Sequence, residues 1–207
     1  MVALKVERIK VCLNGSRFTE EHPAVPITSM ELAAAAASAV MVGAGAVHMH
    51  PRNERGRESL DGSDIAAAVL AVRQACPTTP IGISTGLWTT DGDVRARLVA
   101  VEAWSSLPPR ARPDFASVNL SEPGFDATAK ALQSLGIAVE VGVWSTADAE
   151  ALAAWGLAAR CVRLLVEVID VPAAAAVGVA KGILERLDAL DLPESRLLHG
   201  EGTATWP

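Results

Sequence analysis

Short runs of β-branched and apolar residues alternate along this chain with longer Ala/Leu-rich runs, and no hairpin signal falls between them. Strands separated by helix-length segments cannot pair with each other across a tight turn. They return by right-handed crossovers, which build βαβ units and a parallel sheet. The spacing predicts strands over 6–13, 46–50, 81–85, 115–120, 138–144, 162–168 and 197–199, with helices over 29–42, 62–75, 91–104, 126–135, 146–157 and 172–187. Local signals agree. Thr28-Ser29-Met30-Glu31 sets a hydroxyl ahead of an acidic first turn, and Ser145-Thr146-Ala147-Asp148 has the form of a capping box. Gly136 stands where a helix C-terminus needs it, just before the strand expected from Ala138.

Two parallel architectures fit such a chain, the (β/α)8 TIM barrel and the open doubly wound sheet. No Gly-x-Gly-x-x-Gly opens the first helix, and no Gly-Lys-Ser/Thr of the phosphate-loop kind occurs. Polar residues instead recur at the C-terminal end of nearly every expected strand: Asn14, His48 with His50, Ser84-Thr85, Asn119, Glu140 with Trp144, and His199 with Glu201. A ring of polar strand ends is the active-site layout of a barrel, whereas an open sheet gathers them at one switch point. The expectation is therefore an α/β chain with the (β/α)8 barrel fold, a single domain over residues 1–207. Seven strands are read where a closed barrel has eight. The last residues, Thr203-Ala204-Thr205-Trp206-Pro207, enter the segment that would be the seventh helix. The chain is thus expected to lack the last βα unit, as a fragment would, or to have another chain cover the open edges.

Half of the 207 residues are hydrophobic, mostly Ala, Val and Leu, which is ample for a packed core. The net charge is −6 and the basic residues are scattered, which argues against nucleic acid or an anionic membrane as a main partner. Cys12, Cys76 and Cys161 are odd in number and far apart, as reduced, buried thiols of a cytoplasmic protein would be. The first eight residues are too charged for a signal peptide, and the soft stretch over 32–47 is shorter than the roughly 20 apolar residues that span a bilayer. The five tryptophans read mostly as core or rim packing, with Trp144 the one most suited to face a pocket.

The chemistry concentrates at Val47-His48-Met49-His50-Pro51-Arg52. Residues two apart on a strand face the same way, so His48 and His50 can share one metal ion while Met49 packs outward. The alternative is a pair of histidines satisfied by hydrogen bonds in a polar strand end. Ser84-Thr85-Gly86 offers two hydroxyls for a substrate carboxylate, or an ordinary Ser/Thr turn. Asn119 is suited to donate to a substrate oxygen or to cap its own loop. Arg52 is suited to hold a carboxylate with both arms of its guanidinium, or to sit as a loop cation. Glu140 is a candidate acid and a candidate acceptor for a histidine ring N–H; its alternative is a buried acid paired with an arginine.

With these strand ends in hand, the chain resembles the β-keto acid cleavage enzymes, the group that includes 3-keto-5-aminohexanoate cleavage protein. The likeness runs through Leu13-Asn14-Gly15, Pro26-Ile27-Thr28, Gly45-Ala46-Val47-His48-Met49-His50-Pro51-Arg52, Ile83-Ser84-Thr85-Gly86, Ser117-Val118-Asn119 and Val139-Glu140-Val141. The resemblance implies a zinc-dependent, homo-oligomeric (β/α)8 enzyme of the cytoplasm. Its reaction would take a β-keto acid and acetyl-CoA to acetoacetate and a new CoA thioester. By this likeness His48 and His50 are metal ligands, Glu140 and Arg52 catalytic residues, and Asn14, Arg17, Ser84, Thr85 and Asn119 substrate contacts. Arg17 stands where some members carry a glutamate, which suits a substrate with an extra negative charge. The late Gly-[Leu/Phe]-Glu-Asp strand that carries the family's third ligand has no counterpart before Pro207, and Glu201 is the nearest stand-in. Two other readings stay open: a metallo-hydrolase barrel, and a metal-binding fragment without turnover.

Overall fold

The computed structural model describes residues 9–156 and 158–205. Residues 6–8 of the first expected strand, the last residue of the expected helix over 146–157, the charged N-terminal octet and Trp206 lie outside the described residues. Strands and helices alternate throughout, as the spacing predicts. The chain divides into two compact units, Met1–Ala116 and Ser117–Pro207.

The first unit holds β1 (Lys10–Cys12), α1 (Ser29–Met41), β2 (Ala46–Met49), α2 (Gly62–Ala75), β3 (Ile81–Ser84), α3 (Val94–Ala103) and the first residues of β4 (Phe115–Asn119). β1, β2 and β3 pair in parallel, with Cys12 opposite His48 and His48 opposite Gly82. Every residue of β2 and β3 is buried, as expected of strands covered on both faces. Val47 and Met49 join Ile81, Ile83, Leu32, Ile65, Val69 and Val72 in the apolar core, each with no exposed surface. Burying one such side chain contributes about 1.5–3 kcal/mol. The strand period of two then turns His48 and His50 away from that core, and this is how apolar packing aims the polar pair. Gly82 is required by close approach: a Cβ there would lie 2.0–2.5 Å from the Phe115 ring.

The helix signals act as read. Thr28 accepts from the Glu31 backbone N–H while the Glu31 carboxylate accepts from the Thr28 N–H, a complete capping box. Asp61 caps α2 by accepting from the Ser63 N–H at 2.8 Å. The third helix starts three residues later than the sequence predicts. Asp91 has a left-handed backbone (φ 51°) and Gly92 follows at φ 84°, so the helix begins only after Asp93 caps the Ala96 N–H. A short 3-10 turn over Leu87–Thr90 precedes it.

The second unit contains the remainder of β4, then α4 (Phe125–Ser134), β5 (Ala138–Val143), α5 (Thr146–Trp155), β6 (Arg163–Val168), α6 (Ala173–Ala189) and β7 (Arg196–Gly200). β5, β6 and β7 pair in parallel, with Gly142 opposite Leu165 and Glu167 opposite His199. Gly136 ends α4 at φ 74°, where its N–H and that of Ile137 donate to the Gln133 and Leu132 carbonyls. Ser145 caps α5 by accepting from the Asp148 N–H. Val139, Val141, Val143, Leu152, Leu164 and Ile183 form its core. Among the described residues, no helix is long and apolar enough to cross a membrane.

Candidate metal and substrate site

The first unit builds its site from the loops that follow β1, β2 and β3. His48 on β2 and His50, the residue just past its end, have ring centroids 5.4 Å apart and planes nearly perpendicular. Both side chains are buried, at 6% and 9% relative exposure. The His50 Nδ1 lies 2.8 Å from Glu58 Oε2. Trp88 donates its indole N–H to the same oxygen at 3.0 Å, and its ring stacks on the His50 ring at 6.2 Å and 22°. Glu58 reaches this position because the loop turns back on itself. Asn53 and Arg57 form a tight turn around Gly56 (φ 73°), and Arg52 and Glu58 face each other across an antiparallel bridge.

Burial opposes ionisation of Glu58, but the hydrogen bond and charge of His50, the Trp88 N–H and the Arg52 guanidinium outweigh it. The carboxyl is held below its ordinary value. An ionised carboxylate only accepts, and an indole N–H only donates. Glu58 Oε2 is thus placed to accept from both the Trp88 indole and the His50 ring. Burial also lowers the Arg52 guanidinium, a shift that the charge of Glu58 counters.

Each candidate of this unit has a defined place. Asn14 donates to the carbonyls of His50 (2.9 Å) and Pro26 (3.2 Å), and its Oδ1 accepts from the His50 N–H at 2.9 Å. Its amide is spent on aligning the backbone of His50. Arg52 donates to the Gly15 and Arg17 carbonyls at 2.7 and 3.0 Å, and its guanidinium carbon lies 5.1 Å from the Phe18 ring centroid. Arg17 itself is exposed. Ser84 accepts from the Gly86 N–H at 3.2 Å, as a Ser turn does, and Thr85 is fully buried beside it. Gly86 seats Trp88, since a Cβ there would fall 2.1–2.3 Å from the indole ring.

Glu58 and Trp88 were not singled out as site residues by sequence reasoning, whereas Gly86 was, as the permissive end of Ser84-Thr85-Gly86. The signal for Glu58 was present in Asn53-Glu54-Arg55-Gly56, a turn composition that folds the next residues back along Arg52. Nothing in the sequence marked Trp88 apart from the other tryptophans.

In the second unit the polar strand ends form their own network. Asn119 donates to Glu122 at 2.9 Å, and Trp144 donates its indole N–H to Glu167 at 2.7 Å. Gly142 lets these groups approach, because a Cβ there would lie 2.4 Å from Asn119 Oδ1 and 3.1 Å from Glu167 Oε2. Glu140 is fully buried and accepts from the Arg163 Nε–H. Glu201, at the end of β7, is exposed.

Zinc, which the sequence resemblance implies, can be tested against these residues. Two buried imidazoles adjacent at one strand end, one with its Nδ1 already directed to a carboxylate, are the donor set of a histidine-bound divalent metal. Among the described residues no cluster of three or more His, Cys, Asp or Glu side chains is gathered for a metal. Of the described residues, His48 and His50 are the pair that would hold such an ion.

An α/β chain of repeated βα units with parallel strands has the (β/α)-barrel type of fold. The solved structure of ObcA, in its ternary complex with a C4-CoA adduct and oxalate, is similar in fold. Its TM-score is 0.66 at 16% identity, and the likeness covers 86% of this chain and 52% of that one. The family model for β-keto acid cleavage enzyme matches residues 8–195, and the chain belongs to that family. Over 79 residues it is 38% identical to the 3-keto-5-aminohexanoate cleavage enzyme of Fusobacterium nucleatum and 35% identical to that of Acetoanaerobium sticklandii. Each of these matches covers 38% of this chain and 29% of the relative. The chain therefore spans about half the length of the ObcA structure and under a third of these relatives. Its fold is the (β/α) barrel type with seven strands described, and an eighth βα unit is not among the described residues.

Proposed function

We propose that this chain takes part in zinc-dependent cleavage of a β-keto acid with acyl exchange to acetyl-CoA. The bond between the keto carbon and the carboxymethyl group breaks, and the carboxymethyl carbon bonds to the acetyl group. The C–S bond of acetyl-CoA breaks and the CoA sulfur bonds to the released acyl carbon, so the products are acetoacetate and the acyl-CoA of the remaining chain. Family membership supports the reaction class. The observation that carries the metal site is the buried His48 and His50 pair with His50 tied to Glu58. Bound at these histidines, zinc would supply Lewis acidity toward a keto and carboxylate oxygen pair, the charge stabilisation that retro-Claisen chemistry requires.

The residues contribute around that centre. His48 and His50 hold the ion. Asn14 and Glu58 fix the backbone and ring of His50. Arg52 is proposed as a positioning residue, because its guanidinium is committed to the loop carbonyls of Gly15 and Arg17. Ser84 and Thr85 are proposed to meet the substrate carboxylate, and exposed Arg17 to favour a substrate with a second negative charge. For Asn119 and Glu140 the proposed roles, substrate contact and catalytic acid, rest on the family likeness. A cytoplasmic homo-oligomer is the proposed working form.

Zinc content per chain, measured on the wild type, His48→Ala and His50→Ala prepared identically, tests the centre. About one zinc in the parent and almost none in either variant is expected; no zinc in the parent would overturn the reading. Acetoacetate formed only when acetyl-CoA is present supports the reaction, and hydrolysis without it would replace it with a metallo-hydrolase.

A further inference from the structure

We infer that Glu58 and Trp88 are a positioning pair that locks His50 with its proton on Nδ1 and its Nε2 lone pair presented to a ligand. The inference rests on the reading of His48 and His50 as metal ligands, and it assigns roles to two residues outside that ligand set. Three observations carry it. One carboxylate oxygen, Glu58 Oε2, receives both the His50 ring and the Trp88 indole N–H, at 2.8 and 3.0 Å. The indole ring lies nearly parallel to the imidazole, with planes 22° apart and centroids 6.2 Å apart, and lines one face of it. The Arg52 guanidinium lies 3.9 Å from the other carboxylate oxygen, Glu58 Oε1, so both oxygens of Glu58 have a neighbour that holds them in place.

Each part is needed for a physical reason. A neutral imidazole has two tautomers, and only the one with its proton on Nδ1 leaves Nε2 free to bind a metal. The carboxylate selects that tautomer by accepting from Nδ1. Left alone, a glutamate at the end of a loop samples many rotamers. The second donor, Trp88, fixes it, and Gly86 makes room for the indole. Sequence separation hides the device, because Glu58 is eight residues from His50 and Trp88 is thirty from Glu58.

Nitrogen-15 imidazole spectra of the metal-free chain at pH 8 read the tautomer directly. Zinc titration against a chromophoric chelator reads the affinity. The wild type is expected to show His50 protonated on Nδ1 alone. Glu58→Ala should populate both tautomers and weaken zinc binding about 10- to 100-fold. Glu58→Gln, the variant safer for folding, should shift both readouts in the same direction, and Glu58→Asp should restore part of each. Trp88→Phe keeps the ring face and removes the N–H, so its effect should lie between the wild type and Glu58→Ala. A wild-type His50 carrying its proton on Nε2, or Glu58 variants with unchanged tautomer and unchanged zinc affinity, would overturn the assignment. The two failures are distinguishable. Absence of zinc from a wild type whose tautomer still depends on Glu58 sinks the metal reading and supports the lock on the ring.

Discussion

The side-chain amide of Asn14 and the backbone of His50 are joined by two hydrogen bonds, one in each direction and both 2.9 Å long. The amide continues the β1–β2 pairing past the last residue of both strands, where the backbone alone would diverge. Asn14→Ala leaves a buried N–H and C=O of His50 without these partners. A loss of about 2 kcal/mol is expected, from the usual penalty for buried unsatisfied groups. Urea unfolding of the two proteins measures it, and an unchanged midpoint would show that water replaces the amide at no cost.

Gly82→Ala and Gly86→Ala should differ although both new methyl groups collide with an aromatic ring. At Gly82 the ring belongs to Phe115, which is 3% exposed and has no room to move. At Gly86 it belongs to Trp88, which is 44% exposed and can swing outward. Gly82→Ala is expected to cost about 1–3 kcal/mol or more, the range for overpacking a core, and Gly86→Ala to fall at or below its lower end. The second variant should instead shift the Trp88 indole N–H resonance. Equal stability losses would contradict this division.

Acid should weaken the start of α1. Hydrogen bonds from the Thr28 and Ile27 backbone N–H groups lower the Glu31 carboxyl below its ordinary value. A depressed acid stabilises the fold above its unfolded value, and that contribution is lost as pH falls through the folded value. Glu31→Gln should therefore lower the melting temperature at pH 7 and have little effect well below pH 4, where both proteins lack the charge. A gap that persists in acid would assign the effect to shape. Thr28→Ala removes the other half of the box and should cost about 1 kcal/mol at pH 7, and less in acid, because the Thr28 side chain also helps to lower the Glu31 carboxyl.

The three thiols should react in order of exposure. Cys12 is exposed and not buried as the sequence suggests, whereas burial and then the charge of Glu194 push the Cys161 thiol up to about 11. Burial also raises Cys76. Iodoacetamide at pH 8 should label Cys12 first, as located by peptide mass mapping, since the thiolate is the nucleophile. The raised Cys161 value means that the folded chain keeps a proton which the unfolded chain gives up. Stability should accordingly fall between about pH 8.5 and the folded value near 11. Rapid labelling of Cys161 at pH 8 would refute this.

Much of this architecture was legible because the relevant forces are local. Asp61 and the apolar spacing that follows it set α2 over the range expected from sequence, and the β-branched runs set β2, β3 and β5 to within a residue at each end. The misplaced start of α3 has a local cause as well, since Asp91-Gly92 is a turn signal that the apolar periodicity overrode. The His48 and His50 pair was legible from strand geometry alone. Their supports were not. Glu58 arrives through a loop reversal and Trp88 through a 3-10 turn, and such long-range meetings leave no periodicity in a sequence. The uses of Asn14 and Arg52 were hidden for the same reason, because each spends its donors on carbonyls in a neighbouring loop.

The guanidinium of Arg52 has a kinetic consequence. It grips carbonyls of Gly15 and Arg17 while its own backbone belongs to the turn closed by Gly56 and Glu58. Neither loop can lift without breaking bonds held by the other. Their amides should therefore exchange with solvent deuterium as one cooperative block with a shared opening free energy. Access to His50 would then be governed by the rate of a single opening event, set by the strength of one side chain's grip.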